Sequence, residues 1–107
     1  MALTRDFRDM VAARVATDPG FARALLAEGV CELLAGDMDT ARVLLRDYVN
    51  ATVGFAAVAE DMGSNPKSVM RMLGPHGNPT VGNLSALLAS LQRRTGVTLD
   101  VTADVAE

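Results

Sequence analysis

The chain has 107 residues, of which 10 are Lys or Arg and 13 are Asp or Glu, so its formal net charge is −3. Half of the residues are hydrophobic, mostly Ala, Leu, Val and Met, and only 4% are aromatic. This composition excludes a disordered chain and favours a single all-α domain over an aromatic-rich β-sandwich. One cysteine and one histidine exclude an intrachain disulfide and a metal centre built on several such residues, so we predict no cofactor and no metal.

The chain gives no sign of a membrane or export segment. Its longest apolar runs are far shorter than the ~20 residues that a membrane-spanning helix needs. Asp6 places an acid early in the chain, which is unlike a signal peptide. We therefore expect a soluble cytoplasmic protein with no membrane partner.

Apolar residues recur every three or four positions through the first half of the chain, which predicts three helices. Asp18 and Pro19 mark the start of the second helix, because Asp caps free N–H groups and proline fits the first helical position. A break at Gly36 ends that helix. Either Asp37 or Asp39 then caps the third, which ends before a Thr-Val-Gly sequence.

Two short helices follow at about residues 55–62 and 66–73, separated by a tight turn. Gly63 suits the positive φ that such a turn requires, and Asn65 is a good N-cap for the second helix. Ala59 lies four residues before the glycine, where a larger side chain would hold the helices apart. This spacing is typical of a helix-turn-helix.

The second short helix presents polar and basic side chains away from its apolar contacts with the first. Arg and Asn can form paired hydrogen bonds with base edges, and Lys and Ser can bind phosphates or bases. The pattern predicts a helix that enters the DNA major groove, although a helical hairpin with solvent-facing polar residues has the same pattern. Met70, at the edge of this face, either contacts a thymine methyl or packs on the following helix. The predicted contacts are Asn65, Lys67, Ser68 and Arg71.

Charge is distributed unevenly along the chain. Residues 1–61 carry six basic and ten acidic side chains, whereas residues 62–99 carry four basic and no acidic ones. Residues 100–107 add three acids. An acid-free stretch around the predicted recognition helix favours a phosphate-facing surface, although the same stretch is also simply poor in charge.

A loop rich in Gly and Pro over residues 74–79 precedes a last helix that ends near Gly96. Asn78 and Thr80 lie at the start of that helix, where free N–H groups favour a phosphate, and plain capping explains them equally well. Residues 97–101 alternate apolar and polar, which predicts a short strand. That strand must pair with another copy, with a partner protein or with a strand elsewhere in the chain.

Several residues outside the predicted DNA contacts are expected to have structural roles. We expect Cys31 to be buried in its helix and His76 to be solvated in its loop. Met10 and Met38 are expected to pack. Arg93 and Arg94 either complement the carbonyl end of the last helix or reach a phosphate or a partner's acid, and we assign neither to a binding site.

The stretch over residues 55–91 resembles the lambda-repressor-like (Xre-type) helix-turn-helix, and more narrowly the HigA-like addiction-module antidote proteins of bacterial toxin–antitoxin operons. The matching features are the helix-turn-helix core, residues 68–73, and the Gly-Asn-Pro-Thr sequence at 77–80 before a leucine-containing helix. The closing segment 97–101 also resembles the ending of that group. The resemblance covers roughly the second half of the chain. Residues 65–67 depart from the group, so no base preference carries over.

The resemblance implies a dimeric antitoxin that represses its own operon by binding a double-stranded DNA operator. It also implies a partner toxin, a RelE/ParE-like ribonuclease or a relative. By the same resemblance, recognition-helix contacts carry over to Asn65, Lys67, Ser68 and Arg71, and backbone contacts to Asn78 and Thr80.

The sequence thus predicts an all-α, lambda-repressor-like bundle with a short C-terminal β-strand. Its segments are an N-terminal helical region (1–53), a helix-turn-helix region (54–96) and a C-terminal strand and tail (97–107), within one compact domain. No phosphate-cradling loop, nucleophile elbow or recognisable carboxylate pair is present, so we do not expect an enzyme. The alternative function is a protein-interaction module that neutralises or scaffolds a partner without reading DNA.

Overall fold

A computed structural model describes residues 5–106, with side chains described from residue 7 onward. The described chain forms six α-helices and contains no strand, which confirms the all-α prediction. The apolar stripe predicted for the first helix begins at Leu3, which lies outside the described residues. The helices are α1 (Arg5–Thr17), α2 (Pro19–Leu34), α3 (Met38–Ala51), α4 (Phe55–Met62), α5 (Pro66–Met72) and α6 (Val81–Thr95).

Four helices begin at the residues that the sequence marks as N-caps. In each, a side-chain oxygen accepts a hydrogen bond from the backbone N–H three residues later, which satisfies one of the free donors of the first turn. At α3 the cap is Asp37 rather than Asp39. The four donor–acceptor distances are 2.9–3.1 Å, at Asp18, Asp37, Asn65 and Thr80.

A single apolar core joins the N-terminal helices to the short ones. Leu26 of α2 and Leu45 of α3 belong to the same buried cluster as Val69 of α5 and Leu87 of α6. Gly29 lets α2 and α3 approach closely, because a Cβ built there would lie 3.1 Å from the Leu45 Cδ2 atom. Helices α2 and α3 therefore share one core with the predicted helix-turn-helix.

The hairpin of α4 and α5 is built as its spacing predicts. Gly63 ends α4 in the left-handed region with φ 66°, a conformation that glycine adopts without strain. Ala59, Val58 and Val69 are each at most 1% exposed. The small side chain of Ala59 thus lies in the closed contact between the two helices.

The C-terminal segment differs from its prediction. Residues 97–106 form no strand within the described chain, so pairing with a strand elsewhere in this chain is wrong. Instead, Val97 and Leu99 pack partly buried against the core, and the Leu99 N–H donates to Gln92 Oε1 at 2.8 Å. The apolar residues of the alternating pattern pack the tail against the core beside α6, because a strand needs a neighbouring backbone that residues 5–106 do not supply.

Two packing predictions on the N-terminal helices are wrong. Cys31 is exposed, because α2 buries the face that carries Leu26 and Gly29. Met10 is 68% exposed on α1, whereas Met38 is partly buried. Among the described residues, no helix has both the length and the apolar character needed to cross a membrane.

Candidate nucleic-acid interface

The outward face of α5 carries the predicted recognition residues. Val69 and Leu73 are each 1% exposed and fix one side of this short helix against the core. Consequently Lys67 and Arg71 lie on the opposite side, and both are exposed. Ser68, towards the edge of that side, is partly buried.

Asn65 combines a structural role with an accessible donor group. Its Oδ1 atom accepts the Ser68 N–H at 2.9 Å and thereby caps α5. Its Nδ2 atom donates no hydrogen bond to another described residue, and the residue is exposed. Capping uses the acceptor alone, so the two amide hydrogens remain available to a base or a phosphate.

The loop after α5 folds tightly against the end of that helix. The Gly77 N–H donates to the Gly74 carbonyl at 3.0 Å. A Cβ at Gly77 would lie only 2.0 Å from the Met72 carbonyl oxygen, so no larger residue fits without moving the backbone. Close packing here sets the path of the chain into α6.

The other two predicted contacts follow that loop, and both are exposed. Thr80 caps α6 through its Oγ1 atom, which accepts the Asn83 N–H at 3.0 Å. Its hydroxyl hydrogen can still be donated to a phosphate oxygen. Asn78 lies two residues before this cap, and His76 is exposed in the loop as predicted.

The arginines at the end of α6 are engaged within the fold. Arg94 contacts both carboxylate oxygens of Asp61 on α4, at 2.8 and 2.9 Å, and also Glu60 at 3.3 Å. Arg93 lies 3.9 Å from Asp61. The pairing lowers the pKa of Asp61 well below its ordinary value and raises that of Arg94. Two of the four basic residues in the acid-free stretch therefore face acids from outside that stretch.

Other basic residues approach α5 from the N-terminal helices. Arg8 of α1 and Arg46 of α3 line a cleft of about 300 Å³ together with Met70 of α5. Asp47 lies in the same cleft, and burial raises its pKa while Arg46 and Arg8 oppose that shift. Met70, which is 45% exposed, thus borders α3.

Arg8 and Arg46 were missed as candidate site residues because they belong to the acidic half of the sequence. Only the packing of α1 and α3 beside α5 shows that they adjoin the predicted recognition helix. No pattern local to either arginine indicates this proximity.

A third surface lies away from α4 and α5, on α1 and the start of α2. It is a largely apolar groove of about 650 Å³ that includes Phe7, Met10, Val11 and Phe21. Phe7 is 43% exposed, which is unusual for a side chain of this size. At one end, the Arg14 guanidinium carbon lies 5.0 Å from the centre of the Phe21 ring.

In the described part of the chain, no three His, Cys, Asp or Glu side chains are grouped so that they could hold a metal ion. Comparison with known proteins gives no support for any identity, since no protein-family model, curated protein or solved structure matches this chain.

Proposed function

We propose that this protein is a sequence-specific DNA-binding transcriptional regulator. The observation that carries the proposal is the exposed face of α5, on which Lys67 and Arg71 lie opposite the buried Val69. A short helix held across a Gly63 turn, with a free amide donor on Asn65 at its start, is suited to the major groove. Arg71 is the side chain best suited to a paired contact with a guanine.

The proposed regulator acts as a dimer on a two-fold-related operator. One copy offers few phosphate contacts, and two copies double them while matching a symmetric DNA site. By its resemblance to the HigA-like group, the protein is the antitoxin and autorepressor of a bacterial toxin–antitoxin operon. Its proposed partner is a RelE/ParE-like toxin.

This function can be tested by measuring, with fluorescence anisotropy at several salt concentrations, the affinity of the protein for DNA from upstream of its gene. We expect affinity to fall steeply as salt rises. Arg71→Ala is expected to weaken binding by about 1–3 kcal/mol and to relax the preference for one base pair. Arg23→Ala, on the exposed side of α2, is the matched control and should leave affinity unchanged. No binding at low salt, or equal effects of the two variants, would contradict the proposal.

A protein-interaction role is the second candidate, and the apolar groove on α1 and α2 favours it. Exposed Phe7 and Met10 offer an apolar contact to a partner protein such as the proposed toxin. Coexpression with the product of the adjacent gene should give a stable complex that Met10→Asp weakens. Glu28→Lys, an exposed change elsewhere on α2, should leave the complex intact. If neither protein retains the other, this role is wrong.

A further inference from the structure

A second cleft lies between α3 and the loop that follows α5. Its volume is about 400 Å³, and it is lined by side chains of α3 and by residues 73–75. Two arginines one helical turn apart, Arg42 and Arg46, contribute to the same wall. Asp39 is the acidic residue in the lining.

Arg42 is a buried cation whose hydrogen-bonding capacity is not filled. Its side chain is 10% exposed, and its Nη2 atom reaches Asp39 Oδ1 at 2.5 Å and the Pro75 carbonyl oxygen at 3.3 Å. Its Nε atom is buried without any hydrogen-bond partner among the described residues. A buried donor without an acceptor is costly, so this guanidinium is suited to a further acceptor.

The anion that now faces Arg42 lies at the protein surface. The Asp39 side chain is 90% exposed, so it can rotate into solvent without loss of packing. Arg46 forms no ion pair within 4.0 Å among the described side chains. The lining of the cleft carries two guanidinium groups and one exposed carboxylate, so its formal charge is positive.

We propose that this cleft binds a phosphoryl group. A tetrahedral phosphate can accept hydrogen bonds from two guanidinium groups at once. A carboxylate has only two oxygens, and a single arginine can occupy both. Val43, which is 48% exposed, adds apolar surface to the lining, which suits a phosphate carried on an organic body. The phosphate belongs either to a nucleic-acid backbone or to a free phosphorylated compound. Only the first source depends on the proposed DNA-binding function.

Titration with inorganic phosphate, without DNA and at constant ionic strength, tests the site itself. We expect saturable NMR shifts of the backbone amides of residues 42, 46, 73 and 74. Arg46→Gln should weaken phosphate binding by about tenfold or more, because a charge-assisted contact is lost. Asp39→Asn should tighten it, because the competing carboxylate is removed. Arg23→Gln is the control for loss of one positive charge and should have no effect.

DNA binding by the same variants distinguishes the two sources. If the phosphate is a backbone phosphate, free phosphate competes with DNA and Arg46→Gln reduces the slope of log affinity against log salt by about one. If the source is a free compound, phosphate binding is lost in Arg46→Gln while the salt slope is unchanged. Absence of saturable shifts, or equal loss in Arg46→Gln and Arg23→Gln, would overturn the proposal even if DNA binds.

Discussion

Arg94 of α6 holds Asp61 of α4 through both carboxylate oxygens, with Nη2–Oδ1 and Nε–Oδ2 distances of 2.8 and 2.9 Å. The buried Ser90 hydroxyl donates to the same carboxylate at 2.6 Å. The Asp61 side chain is 18% exposed, so water competes only partly for these bonds. The contact joins α4, the first helix of the predicted helix-turn-helix, to α6.

Asp61→Asn should lower the melting temperature at pH 7 and have a smaller effect in acid. The pKa of Asp61 is depressed in the folded protein, so the carboxylate stabilises the fold above its unfolded-state pKa. That contribution is lost as the pH falls below about 4, towards the folded-state pKa. Thermal unfolding at pH 7 and pH 2.5 measures the change. Glu60→Gln, whose side chain is 79% exposed, should have a smaller effect, and a pH-independent difference for Asp61→Asn would contradict the assignment.

Gly77→Ala should destabilise the protein by about 1–3 kcal/mol, as overpacking does. The added Cβ would lie 2.0 Å from the Met72 carbonyl oxygen and 2.6 Å from that of Arg71, and backbone atoms cannot move away cheaply. Gly82→Ala in α6 is the control, because its nearest neighbour would be 3.8 Å away. That control should stabilise the helix by up to ~1 kcal/mol. Urea unfolding measures both, and equal stabilities for the two variants would show that the close approach is unimportant.

Substitutions of Asn65 separate capping from recognition. Asn65→Asp keeps an oxygen for the Ser68 N–H, so we expect folding stability close to that of the unchanged protein. The same change removes the amide donors and adds a negative charge, so proposed DNA binding should fall at least tenfold. Asn65→Ala should cost about 1 kcal/mol of stability, because the cap is lost. Unchanged DNA affinity in Asn65→Asp would leave this residue with capping alone.

Val101→Asp should weaken the proposed dimer if the tails pair between copies. Val101 is 74% exposed, although it lies on the side of the tail that carries the partly buried Val97 and Leu99. An apolar residue in that position would be removed from water by contact with the tail of a second copy, which favours the dimer. Loss of that contact should raise the dimer dissociation constant about tenfold or more. Sedimentation velocity measures this. Thr98→Asp, on the other side of the tail, is the control, and an unchanged dimer mass after deletion of residues 97–107 would refute pairing.

Features that depend on neighbours in sequence could be predicted. Each N-cap bonds an N–H three residues away, and the Gly63 turn depends on local backbone conformation, so residue type and spacing suffice. The outward direction of Lys67 and Arg71 follows in the same way, since the buried Val69 fixes the helical phase.

Features that depend on distant contacts could not be predicted. Arg94 meets Asp61 across 33 residues, and Arg46 reaches the edge of α5 only because α3 packs there. Charge counted by segment therefore left open whether Arg94 faces a phosphate or an acid, and it gave no sign that Arg46 lies beside α5. Cys31 was misplaced for a related reason, since the side of α2 that meets α3 is set by Gly29.

Because Gly29 lets α2 lie against α3, it also makes these two helices part of one cooperative unit with α4 and α5. Because α2 lies against Leu45, and Leu45 shares a cluster with Val69, the two regions have no independent cores to unfold separately. A partner that binds α2 in the folded protein would therefore also stabilise α5 against unfolding. Amide hydrogen exchange in α2 and α5 should consequently slow together when a ligand binds either to α2 or to the exposed face of α5.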